Sequence, residues 1–205
     1  VPFFVAGDKV LKALTWPFFK AGLANPTLYL FNFTEGFMLQ LKACLITGAL
    51  IVFPFIVYQI WAYVRPAITR EKRGFYRKII FFSIFLFYAG AGVTFFFLMP
   101  MAIKVLEGFT PEGMQTMFSS TNYLHFMIFF CVMMGAIAEM PLVIMVLTKL
   151  GVVTPAFLVR KRKIAIVIIW IAAAVITPTT DVLNLTLVAI PLMLLYEVSI
   201  VLSKI

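Results

Sequence analysis

From residue 36 to residue 64 the chain carries one charged side chain, Lys42, in an otherwise almost unbroken apolar run. Similar runs follow at 79 to 101, 123 to 148, 164 to 176 and 182 to 202. Crossing a bilayer core takes about 20 helical residues, each rising about 1.5 Å. The first three runs are long enough, with some tilt. The fourth gives about 20 Å of helix, and the fifth carries Pro191, which should kink it. With 63% hydrophobic and 12% charged residues, the composition departs far from the soluble average of roughly 45–50% apolar and about 25% charged. A core built from 205 residues cannot hide that apolar surface from water, so lipid must take it. The chain reads as an all-α polytopic membrane protein forming a single integral membrane domain over 1–205.

The break between the last two runs, Thr177-Pro178-Thr179-Thr180-Asp181, is a turn-rich segment. It predicts a short helical hairpin dipping into the membrane from one side, the bilayer thinning locally to match it. Both of the last two helices are expected to be short.

The basic residues set the orientation. Arg65, Arg70, Lys72, Arg73, Arg77 and Lys78 lie between the first and second runs. Lys149, Arg160, Lys161, Arg162 and Lys163 lie between the third and fourth, and Lys204 follows the fifth. Twelve of the seventeen bases thus share one side, against Lys9, Lys12, Lys20 and Lys104 on the other. The positive-inside rule makes the twelve-charge side, with the C-terminus, cytoplasmic. The net charge of +9 is then mostly a topological signal. It gives no reason to invoke nucleic acid, although part of it suits acidic membrane lipids or a partner.

This orientation puts residues 1–35 outside. The opening Val1-Pro2-Phe3-Phe4-Val5-Ala6-Gly7 resembles the end of an earlier span, so six transmembrane helices are expected in the intact protein, five of them here. Asp8 is a candidate N-cap for an amphipathic stretch that Pro17 should bend or end. Its Trp16, Phe18 and Phe19 among Lys9, Lys12 and Lys20 suit either an interfacial helix or a segment packed on the bundle.

Several chemistries are excluded. Cys44 and Cys131 lie within apolar runs, and His125 is the one histidine. There is accordingly no disulfide framework, metal cluster or charge-relay triad. No nucleophile elbow, zinc-protease motif or phosphate loop occurs, so neither an enzyme nor a cofactor is expected.

Ionisable residues inside spans are functional candidates because they cost about 2.5–3.5 kcal/mol at a helix centre. Glu139 stands ten residues before Lys149, about 15 Å into the membrane, with Pro141 two residues on. It reads either as a neutral acid bonded within the bundle or as a contact to a partner helix or ligand. Glu197, near Lys204, reads as an interface residue or the partner of a base. Gln59, Asn184 and Thr186 suit helix bridging, and His125 suits an interface anchor. In the loop from Arg65 to Arg73, Glu71 is a lone carboxylate among bases. It either relieves repulsion in exposed pairs worth little or accepts an incoming cation, best an arginine fork.

A set of short motifs runs along the chain in order. It comprises Tyr58-Gln59-Ile60-Trp61-Ala62-Tyr63, Pro66-Ala67, Glu71-Lys72-Arg73, Phe87-Tyr88 with Gly90, Phe95-Phe96, Pro111-Glu112-Gly113 and Glu139-Met140-Pro141. It continues through Gly151, Thr154-Pro155, Thr177-Pro178, Asp181-Val182, Ala189-Ile190-Pro191 and Tyr196-Glu197. In order and spacing this set resembles the TatC family, the receptor subunits of the twin-arginine protein translocase, over essentially the whole chain.

The resemblance implies a protein of the prokaryotic cytoplasmic (inner) membrane with six helices. It would bind Arg-Arg signal peptides of folded cargo at the cytoplasmic face. It would also organise single-span TatA/TatB-type subunits, with several TatC copies in a hetero-oligomer, for export driven by the proton-motive force. Glu71 aligns with the family's recognition carboxylate, flanked by Tyr63, Pro66, Arg70 and Lys72. Glu139 with Pro141 aligns with the buried carboxylate facing a partner helix, and Thr177, Asp181 and Asn184 with the partner-binding edge. The family's amphipathic N-terminal region and first helix have no counterpart here. The last hairpin is one residue longer than the usual Thr-Pro-Pro-Asp. A Gln of some relatives falls at Leu185 beside Asn184, and Ala156-Phe157 replaces common acidic residues. The competing reading, a small transporter or channel using Glu139 as an ion or proton relay, requires further ionisable or helix-breaking groups facing it.

Overall fold

A computed structural model describes residues 2–23, 26–64, 73–110, 117–177 and 182–204. Its elements in chain order are α1 (Pro2–Lys20), β1 (Leu28–Tyr29), α2 (Glu35–Val64), α3 (Arg73–Val93), a π-helical turn (Thr94–Leu98), α4 (Met99–Glu107), β2 (Phe118–Ser119), α5 (Ser120–Ala138), α6 (Met140–Lys149), α7 (Pro155–Arg160), α8 (Arg162–Ile176) and α9 (Val182–Ser203). Among the described residues four helical segments are long and apolar enough to cross a membrane: Glu35–Tyr63, Lys78–Glu107, Ser120–Lys149 and Val182–Ser203. The run at 164 to 176 becomes α8, with 15 residues. Only α8 is short. At 22 residues α9 continues through Pro191, so the expected shortness of the last helix is corrected: its pattern of apolar side chains outlasts the bond that Pro191 removes.

The chain divides into two compact units: residues 1–52 with 93–131, and residues 53–92 with 132–205. In the first, β1 and β2 form a two-residue parallel pair, Leu28 opposite Phe118 and Tyr29 opposite Ser119, and the Ser120 hydroxyl donates to the Tyr29 carbonyl at 3.1 Å. Phe18 is fully buried against the rings of Phe118 and Tyr123, at centroid distances of 5.2 and 5.4 Å. The Tyr123 hydroxyl donates to the Leu14 carbonyl at 3.0 Å. Those contacts hold the last turn of α1, which runs past Pro17 to Lys20 rather than ending there. Asp8 is likewise not an N-cap: α1 begins at Pro2 and passes through it, and its carboxylate accepts from Gln40 Nε2 at 3.0 Å.

The π-helical turn has a local cause. Pro100 has no N–H and disturbs the α ladder before it, and the Met99 N–H reaches back to the Thr94 carbonyl. That is one residue farther than an α-helical bond and widens the turn.

In the second unit α6 packs along α9, and α8 and α7 also pack on α9. Val57, Trp61, Ile79, Leu142 and Val146 form a buried apolar cluster. A glycine ends α6: Gly151 has φ 77°, the Gly151 N–H bonds the Thr148 carbonyl, and the Val152 N–H bonds the Leu147 carbonyl, both at 3.0 Å. This paired closure needs a left-handed residue. Thr154 then caps α7, its Oγ1 accepting from the Phe157 N–H at 3.2 Å with Pro155 at the first helical position.

Candidate functional site

Pro141 shapes the backbone around Glu139. Without its N–H, the helix cannot continue its regular ladder, so α5 ends at Ala138 and α6 restarts at Met140. The Glu139 N–H bonds the Ala136 carbonyl at 3.2 Å, and the Glu139 carbonyl accepts from Leu142 and Val143, both at 3.0 Å. The side chain is thereby carried at a tightened turn within a candidate membrane span.

A relay of two neutral donors in the same unit ends on this carboxylate. Ser83 Oγ on α3 donates to Glu139 Oε2 at 2.5 Å, and Trp61 Nε1 on α2 donates to Ser83 Oγ at 3.1 Å. The other oxygen, Oε1, is buried and has no hydrogen-bond partner. Beside it lies an apolar cleft of about 240 Å³ lined by Phe53, Val57, Ile60, Trp61, Ser83, Phe87, Ala136, Glu139 and Val143.

Close helix approach creates this arrangement. A Cβ on Gly90 would stand 2.6 Å from the Cβ of Ala138, and one on Gly135 would stand 2.8 Å from the Phe87 ring. These two glycines let α3 and α5 approach where larger side chains would hold them apart. Ser83, Phe87 and Gly90 share one face of α3 at helical spacing, and Phe87 stacks on Phe53 with centroids 3.4 Å apart.

Of the residues singled out beforehand, Tyr63 is 87% exposed at the end of α2. Pro66, Arg70, Glu71 and Lys72 lie outside the described residues, as does Asp181. Pro141 is buried in the first turn of α6. Thr177 is buried, its hydroxyl donating to the Ala173 carbonyl at 2.9 Å and so closing α8. Asn184 is buried in the first turn of α9, apart from the Glu139 cleft lining. Glu197 pairs with Arg162 at 2.7 Å, and the neighbouring Tyr196 hydroxyl donates to the Leu158 carbonyl at 2.9 Å. Both contacts tie α9 to the segment before it.

Sequence reasoning missed Ser83 and Trp61 as partners of Glu139. One signal was available: Ser83 is the first polar residue inside the apolar run after Lys78. Among the described residues no cluster of His, Cys, Asp and Glu is placed to hold a metal ion.

The family model for the Sec-independent protein translocase protein (TatC) matches residues 1–191. Among characterised relatives, TatC of Carboxydothermus hydrogenoformans is 37% identical over 177 residues, covering 86% of this chain and 73% of the relative. TatC of Aquifex aeolicus is 41% identical, covering 83% and 71%, and TatCy of Bacillus subtilis is 32% identical, covering 100% and 81%. A crystal structure described as the twin arginine translocase receptor TatC superposes with a TM-score of 0.83 at 36% identity, over 98% of this chain and 88% of that one. These relatives are components of a protein-transport system rather than enzymes. With a matching family model over nearly its whole length, a matching fold and spans of membrane-crossing length, this chain belongs to the TatC family of membrane-embedded Sec-independent protein translocase proteins.

Proposed function

We propose that this chain acts as the receptor and core subunit of a twin-arginine translocase, binding Arg-Arg signal peptides and docking a single-span partner helix at Glu139. The observation carrying this reading is the free Oε1 of Glu139 beside an apolar cleft. An unsatisfied acceptor in lipid is costly. A transmembrane segment bearing a hydroxyl, amide or similar donor would satisfy it while its apolar side chains fill the cleft. Ser83, which bonds Glu139, and Trp61, which bonds Ser83, are neutral, which favours this docking role over an ion relay, where further ionisable groups should face the carboxylate.

The signal-peptide role rests on Glu71, flanked by Arg70 and Lys72 and followed along the chain from Tyr63 and Pro66. Its carboxylate suits an arginine fork, which lysine cannot reproduce. Thr177, Asp181 and Asn184 supply a second partner edge. The positive-inside distribution supports a cytoplasmic C-terminus, and the host membrane is then the prokaryotic inner membrane.

The test uses the complete protein in membranes, with one photo-crosslinker beside Glu71 and another at Val143 in the cleft. Arg-Arg but not Lys-Lys signal peptides should crosslink at the first position, and Glu71→Ala should abolish this. A single-span Tat subunit should crosslink at Val143, and Glu139→Leu should weaken it. Peptide capture indifferent to both arginines and Glu71 would remove the receptor mechanism. Undiminished capture at Val143 in Glu139→Leu would remove the docking role.

A further inference from the structure

In the first unit, Lys42 on α2 and His125 on α5 meet, with Nζ 2.8 Å from Nε2. Both lie within candidate membrane spans. Lys42 is seven residues past the start of α2, about 10 Å along the helix, and His125 is five past the start of α5, about 8 Å along. Lys42 is half-buried and His125 exposed.

A lysine ammonium at the edge of the hydrocarbon needs a counter-charge. The imidazole supplies a lone pair but no negative charge. Nearby carboxylates are engaged elsewhere. Asp8 accepts from Gln40, and Glu35 accepts from the Phe31 N–H at 2.7 Å and from Asn32 Nδ2 at 3.4 Å. The ion pair of Arg162 with Glu197 belongs to the other unit. No carboxylate among the described residues stands in an ion pair with Lys42, which leaves the ammonium open to an anion supplied by the membrane.

We propose that Lys42 and His125 form a binding site for the phosphodiester of an anionic membrane lipid. With lysine as the ammonium, the bond between them runs from Nζ to Nε2, leaving the imidazole proton on Nδ1. Two ammonium N–H groups then remain for phosphate oxygens, while the imidazole orients the ammonium and its Nδ1–H points away on the other edge of the ring. The lysine stem lets its head rise to headgroup level while its methylenes stay in apolar surroundings. Neighbouring side chains favour a lipid over free phosphate. Leu41 and Leu45 beside Lys42, and Phe129 one turn from His125, are 38%, 66% and 47% exposed. They offer acyl chains an apolar flank that a soluble anion would not use.

His125 is the one histidine of the chain, so ¹⁵N-histidine labelling gives a single reporter. The full chain in phosphatidylcholine nanodiscs is titrated with phosphatidylglycerol, and separately with inorganic phosphate. Phosphatidylglycerol should move the imidazole signal saturably and inorganic phosphate should not. Native mass spectrometry should show one retained phosphatidylglycerol, reduced about five-fold in Lys42→Gln, the loss expected for one lysine at an anionic surface, and kept in Lys42→Arg. An imidazole signal indifferent to both additions overturns the site, as does equal lipid retention in wild type and Lys42→Gln. A response to inorganic phosphate equal to that for the lipid overturns the lipid assignment. The wild-type titration stands even if a variant fails to fold.

Discussion

Two carboxylates of the same unit sit on transmembrane-length helices and are held in opposite ways. Glu197 is about half exposed and faces an equally exposed Arg162 guanidinium at 2.7 Å. Glu139 sits where α5 breaks into α6, is held by the neutral Ser83, itself bonded by Trp61, and keeps one oxygen free. Among the described residues no ion pair involves it. An ionisable residue in a span is therefore not informative by identity alone. The partner separates a carboxylate that anchors one helix to the next from one that retains an open acceptor for something else.

The sharpest way to break this comparison is to separate the helices that create the Glu139 cleft. Gly90→Leu places a Cβ within 2.6 Å of the Ala138 side chain, and overpacking of this kind costs about 1–3 kcal/mol. Thermal unfolding in detergent should show the lower stability, with crosslinking at Val143 lost in the same variant. Gly92, which has open space around its Cβ position, is the control: Gly92→Ala should leave both readouts near wild type.

A second, more local change leaves the backbone alone. Ser83→Ala removes the donor to Oε2, leaving both Glu139 oxygens without it. An orphaned buried acceptor costs about 1–3 kcal/mol. The cost should shrink in the Glu139→Leu background, where there is no carboxylate to orphan. A Ser83→Ala penalty of equal size in both backgrounds would show that Ser83 acts through packing alone.

Much of this framework was readable from residue order. The apolar runs marked the long helices because lipid tolerates nothing else at that length, whereas the cap at Thr154 and the stop at Gly151 emerged only with the structure. Pro17 and Asp8 misled because local rules were overridden by contacts from far along the chain: Tyr123 and Phe118 hold the turn after Pro17, and Gln40 takes the Asp8 carboxylate. Glu139 itself stood out, but its environment did not. Trp61, Ser83 and Glu139 are brought together from three helices, and no spacing within one helix encodes that. The glycines that permit the approach, Gly90 and Gly135, read as ordinary small residues until their neighbours are known. The loop carrying Glu71 lies outside the described residues, so its candidacy rests on charge pattern and family resemblance.

The smallest predicted effect tests the other half of the comparison. Arg162 and Glu197 are 45% and 52% exposed, so water and salt screen their attraction, and exposed pairs of this kind contribute about 0.2–1 kcal/mol. A double-mutant cycle with Arg162→Gln and Glu197→Gln should return a coupling in that range, falling as salt rises and the Debye length shortens to about 3 Å at 1 M. Tyr196→Phe should cost a similar amount, because it removes the bond to the Leu158 carbonyl and exchanges one hydrogen bond worth about 0.5–1.5 kcal/mol. Val143 crosslinking should be unchanged in all three variants, since none of these side chains lines the cleft. A coupling of several kcal/mol, insensitive to salt, would mean that Glu197 is as enclosed in the membrane as Glu139. The contrast between a screened anchor and an open acceptor would then fail at the anchor.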